Sequence, residues 1–311
     1  MAGPAIGFIG FGEAGFHIAK GLRSAGVEHI VAYDIHTHTP RRGELIRQRA
    51  GESGVALVES SGELTAASTT SFSTVTASSA LEAAEQTAPF LDKRHLYADL
   101  NSVSPATKQA IDATIRSTGA QFAEGAIMSP VPPHGHRVPI LLGGEGAFEF
   151  AEAMTPLGMR LEILGADVGR AAAVKMFRSI VVKGLEALLF ECVLGASRYG
   201  PEKRVFDSPG ETFPGIDWDK LANYMVGRVV VHGERRADEM EEAGATLRDL
   251  GIEPMMTEAP ARRQRWAAQL DLRSRFEAAG PRDYADVLRE LESLSPHTSR
   301  ASSDTSRSFN S

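Results

Sequence analysis

Residues 6–22 read IGFIGFGEAGFHIAKGL and join a short apolar run to a segment with helical spacing through three glycines. The apolar run predicts a strand and the later segment a helix, so the glycines fall in a tight turn between them. Gly10 permits the sharp turn, Gly12 lets a ligand approach the backbone, and Gly15 lets the helix lie close on the strand. The open N–H groups at a helix start attract anions. The stretch therefore predicts a site for a dinucleotide pyrophosphate, with contacts from Gly10, Phe11, Gly12, Glu13, Ala14 and Gly15.

A carboxylate follows the next predicted strand. Residues 29–33 read HIVAY, and Asp34 comes directly after them, about 20 residues beyond the glycine turn. At that position a carboxylate accepts hydrogen bonds from the adenosine ribose and repels a 2′-phosphate, although aspartate is also a common turn former. Arg41 and Arg42 follow closely and could bind a phosphate. The sequence therefore favours NAD and leaves NADP open.

The bulk composition limits the class of protein. The chain has 311 residues, enough for about two domains, and its formal net charge of -7 argues against nucleic acid as a partner. Cys192 is the only cysteine, which excludes an internal disulfide and a thiolate metal cluster. We find no stretch typical of a signal peptide or a membrane span. The expectation is a cytoplasmic protein.

Strand and helix patterns alternate through the first half of the chain. Further strands are predicted at residues 54–59, 70–76, 95–100, 121–126, 138–142 and 161–164. This alternation predicts an α/β fold, a doubly wound parallel-sheet Rossmann domain over residues 1–167 with right-handed crossovers. The end of the strand at 70–76 would then lie over the cofactor, so Thr76, Ala77 and Ser78 are predicted cofactor contacts.

Polar residues and a proline-rich loop follow two of the later strands. Asn101 and Ser102 come where the strand at 95–100 ends, as ligand contacts or as turn formers. Residues 128–135 carry three prolines and form either a simple crossing or a substrate wall. His134 and His136 are a possible metal pair, but no third ligand is nearby, and we expect no metal.

The second half of the sequence has a different pattern, in which apolar residues recur at helical spacing. Residues 168–199 predict one helix of roughly 30 residues, on which Lys175, Ser179 and Lys183 share a face at i, i+4 spacing. A lysine among apolar neighbours either extends its amine to the surface or serves as a functional cation. After a predicted loop at 201–214, helices are predicted at 217–231, 232–251 and from 260. The result is an all-α C-terminal domain over 168–290, joined by the long connecting helix, and a disordered tail over 291–311.

These motifs occur in an order that resembles the β-hydroxyacid dehydrogenase and 6-phosphogluconate dehydrogenase superfamily. The resemblance rests on GFIGFGEAGFHIAKGL, DLNSVSP and the lysine that ends GADVGRAAAVK. The segments KMFRSIVVKGLEALLFE and HGERRADEMEE resemble a DUF1932-type domain, and the likeness covers residues 1 to about 285. It implies that Ser102 lies near substrate and nicotinamide and that Lys175 is catalytic. Two departures are EGAIMSPVPPHG in place of a DAPVSGG-like loop and Ser179 in place of an asparagine.

The resemblance implies an NAD(P)-dependent dehydrogenase that moves a hydride between the nicotinamide and a small hydroxy acid or a related alcohol or ketone. Lys175 would be the general acid or base. Asn101, Ser102 and Ser179 would orient the substrate, and Ser129, Pro130, His134 and Lys183 would line its pocket. The alternatives are an imine reductase on the same scaffold and a non-catalytic NAD(P)-binding sensor. Because the long helix is apolar around its circumference, we also expect a homodimer through this helix and the C-terminal domain.

Overall fold

The computed structural model describes residues 4–200, 204–276 and 280–294. Its sheet has eight strands: β1 Ile6–Ile9, β2 Ile30–Tyr33, β3 Ala56–Leu57, β4 Thr70–Ser73, β5 Leu96–Asp99, β6 Gln121–Ile127, β7 Pro139–Gly143 and β8 Arg160–Ile163. The α-helices of the described residues are α1 Glu13–Ser24, α2 Arg42–Ser53, α3 Ser61–Ala67, α4 Ala80–Thr87, α5 Pro105–Arg116, α6 Ala147–Met154, α7 Arg170–Ser197, α8 Asp207–Thr212, α9 Trp218–Asp249, α10 Met255–Gln269 and α11 Tyr284–Leu294.

The strand order is β3-β2-β1-β4-β5-β6-β7-β8, so the chain reverses its direction of winding beside β1. Apolar side chains alternate between the two faces of β1, since Phe8 belongs to one buried cluster and Ile9 to the other. Helices cover both faces, as a buried parallel sheet requires. The doubly wound α/β prediction is confirmed.

Two details of the sheet differ from the sequence prediction. Strand β7 runs antiparallel to β6, and β8 runs parallel to β7, so only the first six strands share one direction. No α-helix lies between β6 and β7, which suits an antiparallel pair, whereas helix α6 forms the crossover from β7 to the parallel strand β8. Strand β3 holds two residues rather than the six predicted.

The described residues divide into two compact units. One contains the residues up to Ser179 together with Glu242–Glu253, and the other contains Ile180–Glu241 and the residues from Pro254 onward. Among its described residues the second unit is helical, with a core that includes Phe190, Val229 and Val287. The predicted all-α second half and long helix are confirmed, the latter as the 28 residues of α7.

Several helix boundaries in the second half differ from the prediction. Residues 218–249 form one helix and not two, and Gly233 inside it packs so closely on α10 that an added Cβ would lie 2.8 Å from the Gln264 carbonyl. Gly233 therefore marks a close contact between α9 and α10 and not the end of a helix. Part of the predicted loop, Asp207–Thr212, is helical, and α10 begins at Met255 with Pro260 inside it. Helix α11 continues to Leu294, whereas the rest of the predicted tail lies outside the described residues.

No helix in the described parts of the chain combines the length and the apolar character that a membrane crossing needs.

A charged layer lies inside the second unit. Glu186 is fully buried and pairs with Arg228 at 3.3 Å and Arg236 at 3.0 Å. Burial lowers the pKa of Arg236 and raises that of Glu186, and each is opposed by the charge of the other. Removal of one partner from such a layer leaves a buried charge without compensation.

His232 lies near these arginines, and we expect it to make the free energy of unfolding depend on pH in the acidic range. Burial, together with Arg235, Arg228, Arg236 and Arg273, lowers the pKa of His232 from 6.5 to about 4. The unfolded chain therefore binds a proton that the folded chain does not, and stability falls as the pH drops from 6.5 towards 4. With a discount for solvent screening, we expect a loss on the order of 1–2 kcal/mol from this group. Urea unfolding as a function of pH measures it, and His232→Gln should flatten that part of the curve. An equally steep curve in the variant would contradict this.

Candidate functional site

The glycine turn between β1 and α1 leaves open space where a ligand could approach. Gly10 has a φ of +82°. A Cβ at Gly15 would lie 2.7 Å from the Thr74 hydroxyl and 2.9 Å from the Gly10 carbonyl, so the helix approaches as closely as the sequence predicts. A Cβ at Gly12, by contrast, would meet nothing within 4 Å, and no side chain caps α1 there. The first-turn N–H groups of Glu13 and Ala14 thus border open space, which fits a bound pyrophosphate.

Asp34 ties the glycine turn to the end of β2. One carboxylate oxygen accepts a hydrogen bond from the Phe11 N–H at 2.8 Å, and the other accepts from the His36 N–H at 2.9 Å. An ionised carboxylate has about four acceptor positions, so these bonds leave room for ribose hydroxyls. Both interpretations of Asp34, turn former and ribose ligand, are therefore compatible with the geometry. The bond to Phe11 is a contact that the sequence did not reveal.

The predicted cofactor contacts after β4 lie next to the glycine turn, because β4 pairs with β1. Thr76 donates to the Ser79 hydroxyl at 3.0 Å, and its oxygen is 3.2 Å from the Ser78 hydroxyl. Ala77–Ser79 form a short 3-10 turn with exposed side chains at Ala77 and Ser78. This turn is accessible to a ligand.

Lys175 and Ser102 meet although 73 residues separate them. The Lys175 ammonium Nζ donates to the Ser102 hydroxyl Oγ at 2.5 Å, and both side chains are partly buried. Ser102 comes three residues after β5 ends, and Lys175 lies in the second turn of α7. An ammonium and a hydroxyl in contact can both be directed at one substrate oxygen.

Asn101 is buried in the turn that follows β5. Its side chain is 4% exposed, and its amide nitrogen donates to the Ser73 hydroxyl at 2.9 Å and to an Asp99 carboxylate oxygen. Its amide oxygen is buried without a hydrogen-bond partner among the described residues. The amide N–H groups therefore fix the turn that carries Ser102, and only the oxygen is left to orient a ligand.

Three charged residues that the sequence did not single out form a buried network under this turn. Lys108 is 1% exposed and donates to the Asp99 carboxylate and to the Asp99 carbonyl, each at 2.7 Å. Glu124 is fully buried and accepts from the N–H groups of Gly169 and Ala171, each at 2.7 Å. Charges inside the otherwise apolar patterns LYADL and QFAEGA are the signal that could have revealed Asp99 and Glu124.

The proline-rich loop after β6 folds back on α1. Ser129 is partly buried and Pro130 exposed, directly after β6. A Cβ at Gly21 would lie 2.1 Å from the imidazole of buried His136, so this glycine accommodates the loop. His134 precedes a 3-10 turn at Gly135–Arg137 and is exposed. Within the described ranges no three metal-ligating side chains come together.

The two remaining predicted residues on α7 have protein partners. Ser179 is 6% exposed, and its hydroxyl donates to the Lys175 carbonyl at 3.0 Å, so its proton is used by the helix. Lys183 is 6% exposed and forms an ion pair with the Glu239 carboxylate in the second unit. Burial lowers the pKa of Lys183, against the effect of Glu239. Their predicted roles towards substrate stay predictions.

The glycine turn beside β1, its open helix N-terminus and the carboxylate after β2 define a dinucleotide-binding Rossmann domain. Comparison with known families agrees, since residues 5–131 match the NAD binding domain of 6-phosphogluconate dehydrogenase and residues 196–267 match a domain of unknown function, DUF1932. The chain belongs to the family of proteins that join an NAD binding domain of the 6-phosphogluconate dehydrogenase type to a DUF1932 domain.

Solved structures and a curated relative support this assignment. A conserved hypothetical protein from Sinorhizobium meliloti 1021 is 39% identical, with a TM-score of 0.73 over 88% of this chain and 89% of that one. The conserved protein MTH1747, described as structurally similar to 3-hydroxyacid dehydrogenases, is 31% identical, with a TM-score of 0.71 over 85% and 97%. An uncharacterised 28.5 kDa protein of Methanothermus fervidus is 27% identical over 81% of this chain and 94% of its own.

Proposed function

We propose that this protein is an NAD(P)-dependent oxidoreductase acting on a small hydroxy acid or a related alcohol or ketone, with Lys175 as general acid and base. The observation that carries the proposal is the 2.5 Å contact between the Lys175 ammonium and the Ser102 hydroxyl. That contact lies in the same unit as the glycine turn. The likeness of MTH1747 to 3-hydroxyacid dehydrogenases supports an oxygen-bearing substrate.

Residues of the glycine turn, Asp34 and the turn at 76–78 would hold the cofactor. When bound, a nicotinamide cofactor supplies the acceptor or donor for a hydride. The protein's part is to control the proton on the substrate oxygen. The neutral amine of Lys175 takes this proton as the alcohol is oxidised, and the ammonium that forms returns it as the ketone is reduced. Since Ser102 accepts a hydrogen bond from Lys175, its own hydroxyl proton is left to donate to the same oxygen.

The remaining predicted residues would shape the pocket. The oxygen of Asn101 can accept a hydrogen bond from a ligand, and Ser179, one helical turn after Lys175, would help to orient the substrate. Ser129, Pro130 and His134 would form a wall of the pocket. These roles follow the order of the motifs along the chain.

A substrate panel tests the reaction type. Hydroxy acids, their keto acids, simple ketones and cyclic imines are offered with each cofactor, and absorbance at the nicotinamide band reports turnover. We expect turnover with hydroxy or keto compounds, because an ammonium suits an oxygen atom that gains or loses a proton. Turnover of imines alone would indicate an imine reductase. Cofactor binding without turnover of any compound would indicate a sensor.

Replacement of Asp34 tests the cofactor preference. We propose NAD, because the Asp34 carboxylate would repel a 2′-phosphate. Asp34→Asn keeps an oxygen for the Phe11 N–H but removes the charge. The ratio of the NADPH to the NADH dissociation constant, measured by fluorescence titration, should fall by about tenfold, or ~1.4 kcal/mol. Arg42→Ala tests the alternative that Arg42 binds the 2′-phosphate of NADP. If wild type prefers NADPH and Arg42→Ala removes that preference, the NAD proposal is wrong.

We also propose a homodimer. Four large apolar side chains on α7 are exposed in the single chain: Val174 at 44%, Phe177 at 38%, Val181 at 70% and Leu188 at 65%. Burial of such residues in a partner surface is favourable. Light scattering should give about twice the mass of the 33.3 kDa chain. A mass of one chain at micromolar concentration would contradict the proposal.

A further inference from the structure

Glu124 is the residue that joins β6 to the start of α7. One carboxylate oxygen accepts from the Gly169 N–H and the other from the Ala171 N–H, each at 2.7 Å. These N–H groups flank the first residue of α7 and have no partner within the helix. A buried carboxylate at a helix N-terminus also offsets the positive end of the helix dipole. Glu124 thus fixes the direction from which α7 leaves the sheet.

The Glu124 carboxylate packs closely against Gly143 on the neighbouring strand. Gly143 lies opposite Glu124 across β6 and β7, and a Cβ there would lie 2.7 Å from the Glu124 oxygen and 3.1 Å from the Asp167 carbonyl. Burial raises the pKa of Glu124, while the N–H groups that it binds and the Lys108 ammonium oppose the rise. Glycine at 143 therefore leaves just enough room for a buried charged side chain.

The same network reaches Ser102 from the other side. Lys108 donates to both the carboxylate and the carbonyl of Asp99 and to the Gly125 carbonyl at 3.2 Å. The second carboxylate oxygen of Asp99 accepts from the Asn101 amide, next to Ser102. Asp99 and Glu124 are register partners on adjacent strands. Ser102 and Lys175 are thus fixed by adjacent charged residues in one row of the sheet.

We propose that Glu124 is a positioning residue, which keeps the Lys175 ammonium at Ser102 by holding the first turn of α7. Lys175 lies one helical turn after Ala171, so a change in the first turn moves its ammonium directly. A displacement of about 1 Å at a reacting group can cost on the order of 100-fold in rate. The inference rests on the proposed role of Lys175, but the contact itself can be tested without turnover.

The test compares Glu124→Gln with Glu162→Gln, the same change at an exposed carboxylate in β8 of the same sheet. Hydrogen exchange of the peptide that covers 168–176 reports the first turn of α7. The rate at which an amine-reactive ester labels Lys175, followed by peptide mass spectrometry over a pH series, reports its ammonium. In Glu124→Gln we expect exchange and labelling each to rise by about fivefold or more, with cofactor affinity within about twofold of wild type.

Gly143→Ala is the second variant, because its Cβ displaces the Glu124 carboxylate without removing the charge. It should show the same two increases, and Glu124→Asp should show smaller ones. If wild type turns over a substrate, kcat should fall in step with the labelling change while KM for the cofactor stays constant. If wild type has no turnover, the proposed function fails, yet exchange and labelling still decide this inference. Unchanged exchange and labelling in whichever of Glu124→Gln and Gly143→Ala folds would overturn it, as would a loss of thermal stability alone.

Discussion

Lys175→Ala is expected to lower kcat by about 10²–10⁴-fold, the range that a positioned proton donor or acceptor contributes. The substrate oxygen would lose the group that exchanges its proton, and Ser102 would lose the ammonium that its oxygen contacts at 2.5 Å. Cofactor affinity should stay within about twofold, because the glycine turn, Asp34 and the turn at 76–78 would hold the cofactor. Steady-state kinetics and fluorescence titration of the cofactor measure the two quantities separately.

Controls separate a loss of chemistry from a loss of charge or of fold. Lys93→Ala removes a lysine from an exposed position and should leave kcat and cofactor affinity as in wild type. Lys175→Arg keeps a cation that cannot release its proton near neutral pH, so its kcat should also be low. A Lys175→Ala protein with wild-type turnover would refute the assignment of Lys175, and loss of cofactor binding in the same variant would point to a structural role.

The sequence was most informative where one local pattern determines one structure. The three glycines and the apolar runs around them predicted the turn, β1 and α1, because each glycine meets a local steric demand. Asp34 was predicted from its position after a strand. Its bond to the Phe11 N–H depends on how β1 and β2 lie side by side, which local spacing does not show.

The candidate site was harder to predict because its members are distant in sequence. Lys175 and Ser102 were linked through a family resemblance, and no spacing rule joins two residues 73 positions apart. Glu124 and Lys108 were missed for the same reason. A charge in a strand or a helix looks exposed until its partner is known, and here the partners are the first turn of α7 and the Asp99 carboxylate.

The direction of β7 and the length of α9 depended on tertiary packing. Residues 138–142 form a good strand in either direction, and only the register with β6, which runs from Ile127 opposite Ile140 to Glu124 opposite Gly143, shows that it is antiparallel. The sequence predicted a helix boundary between residues 231 and 232, next to Gly233, a residue of low helix propensity. Its close contact with the Gln264 carbonyl explains why a glycine stands inside one continuous helix.

Two glycines of the glycine motif should respond differently to substitution by alanine. Gly15→Ala should lower the stability of the fold, whereas Gly12→Ala should lower the affinity for the cofactor. In Gly15→Ala the new Cβ lies 2.7 Å from the Thr74 hydroxyl and 2.9 Å from the Gly10 carbonyl, so α1 must move away from β1. Overpacking of this kind costs about 1–3 kcal/mol in free energy of unfolding. Urea unfolding should detect the loss even without cofactor.

In Gly12→Ala the new Cβ meets nothing within 4 Å, and the φ of Gly12 is -74°, which alanine adopts easily. We expect the free energy of unfolding to fall by less than about 1 kcal/mol, because alanine is a poorer N-cap residue than glycine but causes no steric clash here. The methyl group enters the open space at the start of α1 where the pyrophosphate would lie. Cofactor affinity, measured by fluorescence titration, should therefore fall by about tenfold or more, or at least ~1.4 kcal/mol. Wild-type affinity in Gly12→Ala would mean that this space is not the pyrophosphate site, because a dinucleotide that approaches the backbone there cannot avoid the added carbon.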